Sequence, residues 1–358
     1  MGDSLHIGLV GPLPPPSGGM ANQTLQLARL LREENIRVNV VQTNAAYRPA
    51  CVEKIPVLRA LFRLVFYVIN LWRIAGRVDI FHIMANSGWS WHLFTMPAVW
   101  IAKLRRIPAV INYRGGEAEK FFSKSFRIVK PTLNASSSIV VPSRFLENVF
   151  NQYGVTTQII ANIIDLERFQ STTNKPKEFS PHLLVTRNLE LIYDNETAIR
   201  AFNNVLTTYP NARLTIAGTG PELENLQSLV QQLKLSERVI FTGRVDTQQM
   251  PALYQSADVM LNPSKVDNMP NSILEALASG VPVVTTNVGG IPYMVEHEKT
   301  ALLVNPEDFM AMANAIFQVL ENKQCQQNLI DSGLALVKQF AWSEVSQHWL
   351  TLYKKLVV

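Results

Sequence analysis

Short runs of apolar, often β-branched residues alternate with helical periods along the whole chain. In the first half, Leu5–Val10, Arg37–Gln42, Asp79–Ile83, Ala109–Asn112 and Ser138–Val141 predict strands, with helices near 20–34, 57–77, 90–106 and 143–153 between them. From 158 to 182 the pattern gives way to a polar stretch containing Asn174, Lys175, Pro176 and Lys177, which reads as a linker, placed at 166–181. A second alternation follows. It predicts strands at 182–186, 212–217, 238–242, 258–262, 282–285 and 301–304, with helices near 194–208, 220–233, 248–255, 271–279 and 306–322 among them. Strand and helix in strict alternation is the order of a doubly wound parallel sheet. The fold class is therefore α/β, two Rossmann-like domains (1–165 and 182–341) facing across a cleft. Two further helices, near 325–338 and 342–356, close the chain, and the last is expected against the first domain.

Composition narrows the class. At 358 residues and 47% hydrophobic content the chain fills two cores, which excludes disordered and fibrous proteins. Charged residues make up 17%, below the roughly 25% of an ordinary domain, so much surface must be buried. The net charge of +5 suits an anionic substrate or membrane surface and does not by itself point to nucleic acid. Cys51 and Cys325 stand far apart, in neither a disulfide nor a metal spacing. The opening apolar run is too short for a signal peptide, and Arg59, Arg63 and Arg73 interrupt Val57–Ala75 as a transmembrane span, so a cytoplasmic location is expected.

Two segments carry chemistry. The first strand ends in a Pro/Gly-rich loop closing with Gly18-Gly19 at a helix start, where backbone N–H groups can approach an anion. It is neither a dinucleotide fingerprint nor a Walker loop. The second segment, residues 262–284, places Asp267 in a loop after a strand and Glu275 in the helix that follows. Between them lies a helix N-terminus suited to a diphosphate. No D-x-D and no clustered His, Cys and carboxylates at metal spacing occur, so neither a metal nor another cofactor is expected.

The 262–284 segment resembles the E-x7-E signature of retaining family 4 glycosyltransferases with the GT-B fold, with Asp267 in place of the first Glu. The likeness extends to Gly18-Gly19, Asn162-Ile163-Ile164-Asp165, Arg187, Gly218-Thr219-Gly220-Pro221, Phe241-Thr242-Gly243-Arg244, Ala257-Asp258-Val259 and Gly289-Gly290-Ile291-Pro292. The resemblance implies transfer of a sugar from a UDP- or GDP-linked donor to a saccharide or lipid-linked acceptor, with the donor in the second domain. It gives Glu275 to the donor ribose, and Asp267 with Asn268, Met269, Pro270 and Asn271 to the sugar and phosphates. Gly18, Gly19, Gly218, Phe241 and Gly243 complete the donor set.

Three positions depart from the family. Tyr193 stands where a Lys six residues after Arg187 clamps the diphosphate. Arg114 stands where the first domain often has a His, and is expected to join Arg187 and Asp267 as a catalytic group, partly restoring the missing charge. Tyr293 replaces a common Glu. These losses keep a second possibility open, a non-catalytic nucleotide-sugar-binding relative acting as a scaffold. His82, at a strand end, reads first as a buried, satisfied imidazole.

The helix at 57–77 carries its own message. Arg59, Arg63, Asn70, Arg73 and Arg77 fall within an arc of about 80°. Nearly everything else there is apolar. Either this is a deeply buried helix whose stripe is its one wet face, or it makes a peripheral contact with an anionic membrane.

Overall fold

A computed structural model of the chain describes residues 5–15, 18–45, 56–171 and 180–357, with backbone alone at 56–61. Cys51, the 174–177 stretch and the Arg59 side chain lie outside the described residues. The chain divides into two compact units, one running to Ile163 and resuming at Val345, the other spanning Ile164–Glu344.

Unit 1 contains β1 (His6–Gly11), α1 (Gly19–Glu33), β2 (Arg37–Gln42), α2 (Pro56–Ala75), β3 (Ile80–Ala85), α3 (Met96–Leu104), β4 (Ala109–Tyr113), α4 (Ala118–Ala135), β5 (Ser138–Val141), α5 (Arg144–Gln152) and β6 (Gln158–Ile159). Unit 2 runs through β7 (His182–Val185), α6 (Asn195–Thr208), β8 (Arg213–Ala217), α7 (Leu223–Gln232), β9 (Val239–Gly243), α8 (Met250–Ser256) and β10 (Val259–Asn262). It continues with α9 (Asn271–Ala278), β11 (Val283–Thr286), β12 (Leu302–Val304), α10 (Phe309–Glu321) and α11 (Lys323–Val337). The last helix, α12 (Trp342–Val357), passes from unit 2 into unit 1.

Each unit is a six-stranded parallel sheet flanked by helices, ordered β2-β1-β3-β4-β5-β6 and β12-β11-β10-β7-β8-β9. Strand order reverses between β1 and β3 in the first and between β7 and β10 in the second, and ligands of open α/β sheets bind beyond the strand ends at such points. The central strands β3, β4, β7, β10 and β11 are buried along their whole length, so they read as continuous apolar runs rather than alternating ones. Caps follow local chemistry: Asp308 accepts the Ala311 N–H at 2.8 Å to start α10, and Asn322 the Cys325 N–H at 3.0 Å to start α11.

Three elements differ from the sequence expectation. Helix α4 was not anticipated, because Pro131 interrupts its pattern; it continues through the proline since Phe121, Phe122, Val129 and Leu133 are buried on one face. Strand β6 falls within the polar stretch, both its residues exposed, yet it pairs with β5. The helix expected at 90–106 opens with a π-helical turn, Trp91–Thr95.

Helix α2 is not deeply buried. It buries Tyr67, Leu71 and Ala75, one face at i, i+4 and i+8. Val65, Phe66, Ile69 and Trp72 are 48%, 52%, 41% and 48% exposed, so the arginine stripe is not its one wet face and the buried-helix reading is wrong. No helix among the described residues is long and apolar enough to cross a membrane.

Candidate functional site

The site of unit 2 forms where β7 and β10 end. Arg187 follows β7, and Asp267 lies in the loop after β10. That loop is anchored in the core: Asn262 Nδ2 donates to Thr285 Oγ1 (3.0 Å), Ser264 Oγ to Asn262 Oδ1 (2.9 Å) and Thr286 Oγ1 to Ser264 O (2.6 Å). Gly289-Gly290 press against it from the far side. Cβ atoms there would lie 2.0 Å from Asp267 O and 1.9 Å from Asn268 O, and Gly289 has φ +53°. Gly218 does the same for Arg187, whose carbonyl oxygen would meet a Cβ at 2.0 Å. Gly218 and the Gly289-Gly290 pair thus bring four loops into two backbone contacts, the loop after β8 on that after β7 and the loop after β11 on that after β10.

Inside this frame Arg187 Nη2 donates to Asp267 Oδ2 in a short ion pair, both side chains nearly buried. Nη1 lies 3.4 Å from Ser272 Oγ, at the start of α9. Nε is buried and has no partner among the described residues. The Tyr193 ring lies 4.1 Å from the guanidinium, presented by a 3₁₀ turn at Leu191–Tyr193. Tyr193 therefore holds the arginine by a cation–π contact. Burial pushes the Asp267 carboxyl up, while Arg187, the Asn268 N–H and the Ser264 hydroxyl pull it back. Asn268 donates its N–H to Asp267 Oδ1 at 2.9 Å, and Met269 and Pro270 are buried in the turn that leads into α9 at Asn271.

Glu275 stands one turn into α9. The Tyr254 hydroxyl donates to its Oε2 (2.9 Å) and in turn lies 2.8 Å from Thr186 Oγ1. Burial pushes the carboxyl up to about 7, against the pull of Tyr254, Arg168 and Arg187. Tyr254 and Thr186 were not foreseen; Tyr254 is 21 residues from Glu275, and no local pattern joins them. Phe241 and Gly243 lie elsewhere, on the edge strand β9, which β8 separates from β7.

The remaining expected residues belong to unit 1. Gly18 precedes α1 in extended backbone (φ −165°) with open space where a Cβ would point, and Gly19 begins the helix. Arg114 follows β4 directly. Its Nε donates to Asn112 Oδ1 (2.7 Å), Asn112 Nδ2 lies 2.9 Å from His82 Nε2, and His82 Nδ1 lies 2.6 Å from the Tyr353 hydroxyl. Val110 pairs opposite His82, so Asn112, two residues on, shares its face of the sheet. His82 is fully buried, its ring 4.6 Å from that of Trp349, and burial beside Arg114 lowers its pKa to about 3.

This arrangement can be compared with known proteins. Residues 17–168 match the family model described as Glycosyltransferase Family 4, and 167–334 the model described as Glycosyl transferases group 1. N-acetyl-alpha-D-glucosaminyl L-malate synthase of Bacillus anthracis is 26% identical over 62% of this chain and 56% of its own length. A GDP-mannose-dependent alpha-(1-6)-phosphatidylinositol monomannoside mannosyltransferase of Mycobacterium tuberculosis is 33% identical over 45% of this chain and 42% of its own. The chain spans about half the length of these curated relatives. Among solved structures, sucrose-phosphate synthase from Thermosynechococcus elongatus superimposes with a TM-score of 0.80 at 21% identity, over 98% of this chain and 99% of that one. HepE of Anabaena, in complex with UDP and glucose, gives 0.74 at 19% over 98% and 99%. Both share its GT-B fold. With one model on each half and the two meeting at 167–168, the chain belongs to the family 4, group 1 glycosyltransferases.

Proposed function

We propose that the protein transfers a sugar from a nucleotide-diphosphate donor to an acceptor hydroxyl, with retained anomeric configuration. Unit 2 takes the nucleotide and unit 1 the acceptor. The observation that carries this reading is the buried Arg187 Nε, a donor without a partner among the described residues, held between Asp267, Tyr193 and the start of α9. A diphosphate there meets a fixed cation and the positive end of a helix, which together stabilise the charge that develops as the sugar leaves. Glu275 accepts hydrogen bonds from ribose hydroxyls. The diphosphate takes the acceptor's proton as the acceptor attacks the face from which it departs. Two similar proteins support a nucleotide sugar as donor, one a GDP-mannose-dependent mannosyltransferase and the other solved in complex with UDP and glucose.

The reading extends to a lipid-linked acceptor in polysaccharide or lipopolysaccharide synthesis, at the inner face of a membrane. The bare face of α2 is continued on α3 by Trp100 and Leu104, 38% and 70% exposed. Arg105 lies 4.9 Å from the Trp72 ring and Lys103 5.2 Å from that of Trp100. From 56 to 116 the sequence has eight Lys and Arg and one carboxylate, Asp79, so this segment holds more positive charge than the whole chain's net. Apolar rings rimmed by cations suit an anionic interface.

The first test is thermal unfolding with UDP, GDP, ADP and CMP in turn. A ligand at 100 times its dissociation constant adds roughly 2.7 kcal/mol. A shift with one nucleotide, lost in Glu275→Ala, supports the donor site, and hydrolysis or transfer of the sugar from the matching nucleotide sugar then separates the enzyme from the non-catalytic scaffold; no shift with any of them counts against both. Co-sedimentation with vesicles of phosphatidylcholine, alone or mixed with phosphatidylglycerol, tests the surface. Binding is expected with the anionic vesicles and not in Ile69→Ser/Trp72→Ser, and equal recovery with both vesicles refutes it.

A further inference from the structure

At the carboxyl end of the unit 1 sheet stands a guanidinium with no counter-ion among the described residues. The backbone N–H of Arg114 is fixed to Ala85 O at 2.9 Å, and Gly115 behind it has no room for a side chain, since a Cβ would meet Ser87 Oγ at 2.4 Å. Arg114 Nη1 is buried and has no partner among the described residues. Burial lowers the pKa of the group to about 9, against a smaller upward pull from Tyr353 and none from a carboxylate of the described residues. A buried cation in such surroundings is costly unless something pairs with it.

What holds Arg114 is a neutral relay, and the donor-only guanidinium sets its polarity. Because Nε can only donate, Asn112 turns its oxygen to it and its amide hydrogens to His82 Nε2. His82 Nε2 must then accept, so Nδ1 carries the hydrogen and donates to the Tyr353 oxygen. The chain consumes one edge of the guanidinium and leaves its charge intact. The two terminal nitrogens remain for a ligand, in the fork that matches two oxygens of one group.

We infer that Arg114 is the receptor for an oxyanion brought by a substrate, a phosphate or carboxylate group, and that Asn112, His82 and Tyr353 are positioning residues that aim it. The inference rests on the reading of unit 1 as the acceptor-side unit of a glycosyltransferase. The oxyanion has two sources, an acidic group on the acceptor or the donor's diphosphate.

The experiment titrates inorganic phosphate into the full chain at constant ionic strength, with and without saturating UDP, and follows thermal unfolding. Phosphate stabilises the wild type, and Arg114→Gln weakens its affinity by about tenfold or more, with Arg114→Lys between them. A phosphate response that survives UDP assigns the oxyanion to the acceptor; one that UDP abolishes, with Arg114→Gln weakening UDP equally, assigns it to the diphosphate. Unchanged phosphate affinity in Arg114→Gln means an adventitious ion only and overturns the proposal. Asn112→Asp separates aiming from folding: its carboxylate takes the charge of Arg114, so phosphate affinity falls as in Arg114→Gln although the arginine remains. Wild-type affinity in Asn112→Asp overturns the positioning role, as does a histidine ¹⁵N spectrum showing His82 as the Nε2–H tautomer. If no nucleotide stabilises the protein while phosphate still acts through Arg114, glycosyl transfer fails and the oxyanion site stands.

Discussion

Arg187 and Arg114 each follow the carboxyl end of a central strand, one in each unit, and they are held in opposite ways. Arg187 is paired with the Asp267 carboxylate and stacked on Tyr193, so its charge is matched before any ligand arrives. Arg114 is held by an amide, an imidazole that stays neutral and a phenol, so its charge is oriented and unmatched. The first arrangement stabilises its own unit and gives a ligand one further donor, Nε. The second is tolerated by its unit and gives a ligand the whole cation. On the proposed function, a site that releases a diphosphate after each turnover and a site that holds a partner in place have different uses for the same side chain.

The same substitution at both positions should separate them most strongly. Arg187→Met leaves a nearly buried carboxylate without its partner, which costs about 3–5 kcal/mol. It also removes a charge-assisted hydrogen bond to the diphosphate worth about 1.5–3 kcal/mol, or roughly one to two orders in kcat/KM. Arg114→Met removes a buried unmatched cation and leaves one amide oxygen unsatisfied, so its stability should change by less than about 1 kcal/mol, or rise. Chemical unfolding of the two variants measures this, and equal losses at both positions would erase the distinction.

How well each region could be read from the sequence follows the same division. In unit 2 the two carboxylates and the helix start between them are written contiguously from Asn262 to Val284, where spacing shows them, while Arg187 and the glycines whose Cβ atoms would collide with a neighbouring loop were picked out by the resemblance to family 4 glycosyltransferases. What spacing missed was tertiary: the Tyr193 ring on Arg187, and Tyr254 joining Glu275 to Thr186. In unit 1 the relay links residues up to 271 positions apart, His82 to Tyr353, and no local pattern records such a bond. Helix α4 was hidden by Pro131. For α2, periodicity located the arginine stripe, but a helix apolar nearly all round looks the same whether its second face is covered or bare. Only packing shows that Tyr67 and Leu71 face inward while Phe66 and Trp72 do not.

The second carboxylate of unit 2 offers a smaller and pH-dependent contrast. Burial raises Glu275 from an ordinary 4.5 to about 7 in the folded protein, so the folded state binds the proton more tightly than the unfolded one. Its contribution to stability is therefore present at low pH and is lost as pH climbs from about 4.5 to 7, a change on the order of 3 kcal/mol. Glu275→Gln keeps an acceptor for Tyr254 and has no charge to bury. The variant should match wild type near pH 4.5, exceed it by about 2–3 kcal/mol at pH 8, and bind nucleotide about tenfold more weakly. A stability difference that stays flat between those pH values would mean Glu275 is charged without penalty, and that unit 2 matches both its carboxylates as it matches Asp267.

The smallest expected effect tests the far end of the unit 1 relay. Tyr353→Phe keeps the ring stacked on Trp349 (5.7 Å between centroids) and removes only the oxygen that accepts from His82 Nδ1. A buried N–H left without a partner costs about 1–2 kcal/mol, which for a unit of this size is a fall of roughly 2–8 °C in Tm. The imidazole can recover a partner by moving its hydrogen to Nε2, but Asn112 would then have to turn its oxygen away from Arg114. Loosening should therefore travel along the chain. In Tyr353→Phe the Arg114-dependent response to phosphate should weaken about two- to fivefold, less than in Arg114→Gln, while the response of unit 2 to nucleotide stays as in wild type. A variant that loses stability yet keeps full phosphate affinity would show that Asn112 alone fixes Arg114, and that the contrast between the two arginines lies in the first bond each makes.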